Sequence, residues 1–287
     1  AMRTIAVSAV LVGLLAAAER PAEAQASSST KAFRYRGGKV DAGVVYSYDR
    51  SDFSGSRSGS VLVYMPDRKR VEILRVVPGR DGGQLVTGEM DWDACSLGRF
   101  EVWKEGADGS RTRQAVATAS GDSIAVTVED PALYGGRPGA ATFSVSAGHV
   151  PEHVAAFDLV TLALALRHLA DPQGSVEVAL VKGNGAVSEA SPAWLVPAGK
   201  VTVAYAEDVN RDGVDCAKYT VTGPALGSGE GALWYQKEKG YLQEMEIPLA
   251  GDADWAEIVL AYRSSEKASE KDWATRRSVE IRKGAKK

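Results

Sequence analysis

Apolar and polar residues alternate along much of the chain with a period of two, the signature of a strand buried on one face. Between residues 44 and 49, Val44, Tyr46 and Tyr48 share one face, and Ser47 and Asp49 share the other. Residues 70–77 set Val71, Ile73, Arg75 and Val77 against Glu72, Leu74 and Val76. Further strands are predicted at 60–65, 84–90, 98–104, 112–119, 123–128 and 141–146, punctuated by Pro66-Asp67, Pro78-Gly79 and Gly82-Gly83. After residue 170 the pattern resumes at 175–182, 200–208, 215–221, 231–235, 241–249 and 257–262. This spacing has the rhythm of an antiparallel meander.

Residues 151–169 (PEHVAAFDLVTLALALRHL) break that rhythm. Ala and Leu favour helix. Leu159, Leu162, Leu166 and Leu169 recur at three- and four-residue intervals, and Phe157, Val160 and Leu164 form a neighbouring stripe. Two such stripes make a broad apolar face that needs a sheet to cover it. The expected fold is mainly β: a large curved antiparallel sheet, a half-barrel, wrapped around one buried α-helix. Two separate small β domains are the alternative.

The N-terminus reads as an export segment. Arg3 precedes an uncharged apolar run over 5–18, and Ala22-Glu23-Ala24 fits a small-x-small cleavage site, with Ala24-Gln25-Ala26 as a second option. The run is too short to span a bilayer comfortably, as is the apolar part of 151–169, so no transmembrane span is expected in the mature chain. The organisation expected is a signal peptide at 1–24, a flexible leader at 25–38, and a single β-rich domain at 39–263. A charged, solvated tail at 264–287 completes it. The chain is expected to be periplasmic or secreted. In such a compartment Cys95 and Cys216 form either one disulfide or two separately buried thiols.

The formal net charge of -3 argues against a general nucleic-acid binder, which would carry a strongly basic stripe. The sharpest local motif is Asp208-Val209-Asn210-Arg211-Asp212-Gly213, which matches the first half of a calcium loop with Asp208, Asn210 and Asp212 as oxygen ligands. Position twelve of such a loop is Tyr219 rather than Glu, and turn chemistry explains the same six residues. His149 and His153 have helical spacing for a metal, but Pro151 lies between them. Asp91 and Asp93 are close neighbours on one strand face, whereas the two acids of a glycosidase usually come from separate segments. No nucleophile elbow or phosphate loop stands on a strand-to-helix turn. No cofactor is implied.

The stretch from Phe157-Asp158-Leu159 to Leu166-Arg167 resembles the central "Asp, apolar run, Arg" helix of an uncharacterised family of secreted bacterial proteins. That family has a half-barrel fold like the periplasmic lipoprotein carriers. The strands at 176–181 and 201–208, then Asp215-Cys216-Ala217-Lys218-Tyr219 and Leu233-Trp234-Tyr235, follow in the family's order. The resemblance covers mainly residues 150–250. It implies an apolar ligand held on a concave sheet. No Cys follows the N-terminal apolar run, so it does not extend to a lipid-anchored acceptor.

The residues expected to line such a pocket are Tyr46, Tyr48, Trp103, Phe157, Leu164, Trp194, Tyr205 and Trp234, with ordinary sheet core as the alternative. The function expected is a periplasmic binding or carrier protein for an apolar or amphipathic ligand, a lipid or another apolar small molecule. The alternative is a non-catalytic structural or interaction protein of the cell envelope with a protein partner. A hydrolase whose site is assembled from distant residues comes third. N-terminal sequencing of the exported chain is expected to read from Gln25; an exported chain that retains residues 5–18 would contradict the export reading.

Overall fold

A computed structural model describes residues 41–92, 95–120, 123–130, 159–183, 194–249 and 257–286, together with the backbone of 139–144 and 152–154 and the side chain of His153. Among the described residues fifteen strands form one sheet. The first arm runs outward from β1 (Val44–Ser51) through β2 (Ser58–Met65), β3 (Arg70–Val76) and β4 (Gly83–Asp91). It continues through β5 (Ser96–Glu105), β6 (Arg111–Ser120) and β7 (Ser123–Val128) to β8 (Gly139–Ser144) at one edge.

The chain then crosses to the opposite edge, β9 (Glu152–Val154), and passes through the helix α1 (Val160–Leu166). It meanders back through β10 (Ser175–Gly183), β11 (Leu195–Arg211), β12 (Val214–Thr222), β13 (Gly231–Gln236) and β14 (Leu242–Pro248) to β15 (Glu257–Lys267). β15 lies beside β1. Every pairing is antiparallel except β9 with β10. The fold is thus the mainly β half-barrel that the alternation predicts, with one strand, β9, in place of the first part of the expected helix. The helix at 151–169 is corrected to Val160–Leu166, and Pro151 and Phe157 lie outside the described residues.

The inner face holds the main core. Tyr46 and Tyr48 from β1, Val61 and Val63 from β2, Leu233 and Tyr235 from β13 and Leu260 from β15 surround α1. α1 contributes Val160, Leu162, Ala163, Ala165 and Leu166. Seven residues are too few for a helix stable on its own in water. Its N-cap, Leu159, has φ of 51° and offers no side-chain cap. Burial against the sheet therefore holds α1 in place.

The expected solvated tail at 264–287 is corrected too. Ser264 to Lys267 complete β15, and Glu270–Ala285 form a second helix, α2, docked on the outer face. A reciprocal capping box starts it: Ser269 Oγ accepts from the Asp272 backbone N–H, and the Asp272 carboxylate accepts from the Ser269 N–H. Trp273 and Ile281 bury against Val45, Leu62, Tyr64, Leu74, Val76 and Leu85. Trp273 also donates its indole N–H to Glu72 at 2.6 Å. Gly284 lets the helix backbone meet the sheet, since a Cβ there would lie 2.4 Å from Val76 Cγ1.

Arg277 anchors the same helix electrostatically. It donates to Glu105 at 2.9 Å and to Glu72 at 3.1 Å, and its side chain is only 7% exposed. Glu105 is buried further still and also faces Arg111 at 3.3 Å. Removing one partner of a buried ion pair strands the other in low dielectric. Arg277→Ala is expected to destabilise the protein by about 3 kcal/mol in urea unfolding, whereas Arg276→Ala, which removes a half-buried pair with Glu266, changes it by less than about 1 kcal/mol. Equal effects at the two positions would contradict a buried anchor.

Candidate functional site

The C-terminal end of α1 points at the rim of the half-barrel. Two hollows meet there. One lies beneath the helix, between α1 and the seam strands β1, β14 and β15, and is lined by Tyr46, Tyr48, Val63, Leu164 and Leu260. Its volume is about 20 Å³, room for one water and no more. The other is an open cleft of about 520 Å³ between the end of α1 and strands β11 to β13. Arg167, the residue that caps α1, lines both.

Tyrosines form the wall. Tyr205, Tyr219 and Tyr235 share the inner face of β11, β12 and β13, with ring centroids 6.0 and 5.8 Å apart and edge-to-face angles of 81° and 88°. Such pairs are favourable beyond the area they bury. Strand period places them together: β12 and β13 turn Tyr219, Val221, Leu233 and Tyr235 inward. On the seam side, Tyr46 packs against Tyr241 at 5.4 Å, Tyr241 against Tyr262 at 4.9 Å, and Tyr48 against Tyr262 at 6.2 Å.

The hydroxyls of these rings are mostly committed. Tyr235 donates to the Ala163 carbonyl at 2.7 Å, satisfying one of the carbonyls that the end of α1 leaves without a helical partner. Tyr219 donates to the Pro172 carbonyl at 2.6 Å. Tyr46 donates to the Asp41 carboxylate, which also accepts from Arg167 Nη1 at 3.0 Å. Burial pushes the phenols of Tyr48 and Tyr235 well above their ordinary range. Burial and the Asp41 carboxylate do the same to Tyr46, against the opposing charge of Arg167. These rings are therefore neutral donors at physiological pH.

Charges gather at the mouth. Arg167 faces Asp41, Lys237 is paired with Asp208, and Lys239 lies 5.8 Å from the Tyr241 ring centroid. The cleft thus offers an apolar, aromatic floor under a rim of mixed charge. That arrangement suits recognition by stacking, burial and directed hydrogen bonds.

Of the residues expected in a pocket, Tyr46, Tyr48, Leu164 and Tyr205 line one of the two hollows. Trp194 is buried in the inner core but lines neither. Trp103 and Trp234 are corrected to the outer face. Trp103 follows inward-facing Val102 and donates to Thr87 at 3.2 Å. Trp234 sits between inward-facing Leu233 and Tyr235, with the Arg211 guanidinium 4.4 Å from its ring centroid. Phe157 lies outside the described residues. Sequence reasoning passed over Asp41, Arg167, Tyr219, Tyr235, Tyr241 and Lys237. Strand phase at Leu233 and Val221 was the signal that places Tyr235 and Tyr219 inward.

The six residues from Asp208 are the last four of β11 and a two-residue turn, Asp212-Gly213, into β12. Asp212 and Gly213 have φ of 51° and 82°, and Asn210 Oδ1 accepts from the Gly213 N–H at 2.9 Å. Asp208 turns away to Lys237, and Asn210 donates to Asp215 at 3.1 Å. Among the described residues no group of three or more His, Cys, Asp or Glu side chains is placed to hold a metal. Cys95 belongs to the inner core, its thiol against the Trp92 carbonyl at 3.1 Å, while Cys216 alternates outward opposite Gln236. No disulfide joins them, because the sheet stands between the two side chains. Among the described residues no helix is long and apolar enough to cross a membrane.

The fold and cleft together define an open β half-barrel plugged by one short helix, with a tyrosine-walled opening at its rim. No family model and no curated protein matches the chain. Two solved structures are similar in outline. One is a β-barrel-like protein of the domain of unknown function DUF1849 from Brucella abortus, at 13% identity and a TM-score of 0.42, covering 78% of this chain and 96% of that one. The other is a putative outer membrane lipoprotein-sorting protein domain from Vibrio parahaemolyticus, at 12% identity and a TM-score of 0.21, covering 85% and 94%. Similarity of this degree transfers no ligand and no residue role.

His153 fixes the far side of α1. Its ring is fully buried, with Nδ1 3.1 Å from Thr161 Oγ1, and burial lowers its pKa from 6.5 to about 3. The folded chain therefore keeps this imidazole neutral where the unfolded chain protonates it. Stability from this group is complete above pH 6.5 and is lost as pH falls from there towards about 3. The expected slope is up to roughly 1.4 kcal/mol per pH unit. Urea unfolding of His153→Gln should lose that slope; an identical acid profile in the variant would contradict the assignment.

Proposed function

We propose that this protein is a non-catalytic binding module of the bacterial cell envelope that holds an amphipathic small molecule in the rim cleft. The observation that carries the reading is the meeting of the two hollows at Arg167. A polar, charged rim stands on one side of that side chain, and an apolar tyrosine and leucine wall stands on the other. A ligand with one polar end and one apolar body can set the first against the charged rim and the second on the tyrosine rings of the cleft, Tyr205, Tyr219 and Tyr235. The envelope location rests on the export-like pattern of residues 1–24.

The expectation of an apolar ligand swallowed within the concave sheet is revised. A space of about 20 Å³ beside α1 takes no acyl chain. The ligand lies in the cleft instead, with at most its tip against Leu164 and Tyr241.

The small size of the space beside α1 favours a second reading, a structural or interaction protein of the envelope. One experiment separates the two. The protein is released gently from the periplasm and weighed by native mass spectrometry, beside an Ala217→Phe variant that fills the cleft floor. The binding reading expects a solvent-extractable mass adduct on the wild type and none on the variant. Bare protein from repeated preparations, together with a stable cross-linked protein partner, would replace it with the second reading.

A further inference from the structure

The geometry points to an oxyanion as the polar end of the cleft ligand: a carboxylate or phosphate carried on an apolar body and seated on the Nε–Nη2 edge of Arg167. This rests on the binding reading above and goes further by naming the chemistry of the head group.

Arg167 is nearly buried, with a side chain 12% exposed. Its Nη1 is taken by Asp41 at 3.0 Å. Among the described residues no carboxylate or carbonyl accepts from Nε or Nη2. Gly240, which has no side chain, lies beside these two nitrogens. A Cβ built there would stand 3.9 Å from Nη2 and 4.0 Å from Nε. Nε and Nη2 are two parallel donors spaced to meet the two oxygens of a carboxylate or phosphate. Largely buried at the mouth of the cleft, such a fork binds an anion more strongly than it would in water.

The other charges of the cleft are balanced. Lys237 and Lys239 stand with Glu238 on the strand-end segment that also carries Gly240, so the approach is of mixed charge. The acids that face the cleft are Asp41, Asp208 and Glu238. Asp208 is neutralised by Lys237. Asp41 is the acid bonded to Arg167, and it holds the guanidinium in place while partly offsetting its charge. Asp41 is therefore a positioning residue that limits anion affinity.

The test is a titration with four single-chain probes of equal length, kept below their micelle concentrations: decanoate, decyl phosphate, decyl glucoside and decyltrimethylammonium. Calorimetry gives affinity, and amide shifts of residues 236–241 and 217–219 report whether the probe sits in the cleft. The expected result is that decanoate and decyl phosphate bind there at least about tenfold more tightly than the glucoside, the size of one good charge-assisted contact. The order of the two anions tells a carboxylate ligand from a phosphate one. Asp41→Asn should tighten both anions several-fold relative to the glucoside. Arg167→Gln should erase the preference, and Arg167→Lys, which keeps the charge but loses the fork, should restore only part of it. Thermal melting checks that each variant is folded.

Anions and glucoside binding equally well in the cleft, indifferent to Arg167, would overturn the oxyanion and leave the binding reading standing. Preference for the cationic probe would overturn it as well. No cleft shift with any probe would remove both.

Discussion

Val44 to Ser51 face Lys267 to Val259 in an antiparallel ladder, and this pairing of the first and last strands joins two meanders into one sheet. Without it, β1 to β8 and β9 to β15 would each be a separate sheet with an exposed edge at the seam, a liability for any β protein. With it, the sheet curls far enough for its inner face to close over a helix of seven residues that could not stand alone. The candidate site depends on the same ladder. Tyr46 and Tyr48 come from β1, and Tyr262 comes from β15. Asp41, which holds Arg167, lies just ahead of β1. A binding site at the junction of two halves is where burial, charge and curvature from distant parts of the chain can be combined.

The two faces of the sheet are stabilised in different ways. The inner face depends almost wholly on apolar contact, with a few directed bonds to α1: Tyr235 to the Ala163 carbonyl, Arg167 to Asp41, and His153 to Thr161. The outer face over β2 to β5 uses few apolar groups from α2, chiefly Trp273 and Ile281, and relies on Arg277 set between Glu72 and Glu105. A buried ion network of this kind fixes where the helix sits more than it adds net stability. The docked helix also covers the part of the sheet from which β1 emerges, so the seam is supported from both sides.

Much of the fold was legible because period-two alternation survives wherever one face meets solvent. β7, with Ile124, Val126 and Val128 inward and Ala125 and Thr127 outward, reads directly. β2 carried a further message that alternation alone does not use. Its run Val61-Leu62-Val63-Tyr64-Met65 is apolar on both faces, the pattern of a strand covered by a second layer. The covering element was hidden by its own composition, since α2 presents mostly charged residues and buries an arginine. Its start was nevertheless written in Ser269-Glu270-Lys271-Asp272, a capping box that the excess of Lys and Arg obscured. The site was legible only in part. Aromatic identity marked Tyr46, Tyr48 and Tyr205, but it also drew in Trp103 and Trp234, whose strand phase turns them outward. Asp41 and Arg167 are separated by 126 positions, and nothing local in the sequence announces that they meet.

Native-state amide hydrogen exchange along the two arms, followed as denaturant is raised, tests the seam most directly. One curled sheet closed by β1 and β15 predicts that the amides of Tyr48, Val63, Met245 and Leu260 converge on a single global opening energy. Convergence of β1 to β7 on one value and β10 to β15 on another, with the β1–β15 amides in the weakest class, would mean two loosely apposed units, and the site described at their junction would have no fixed walls.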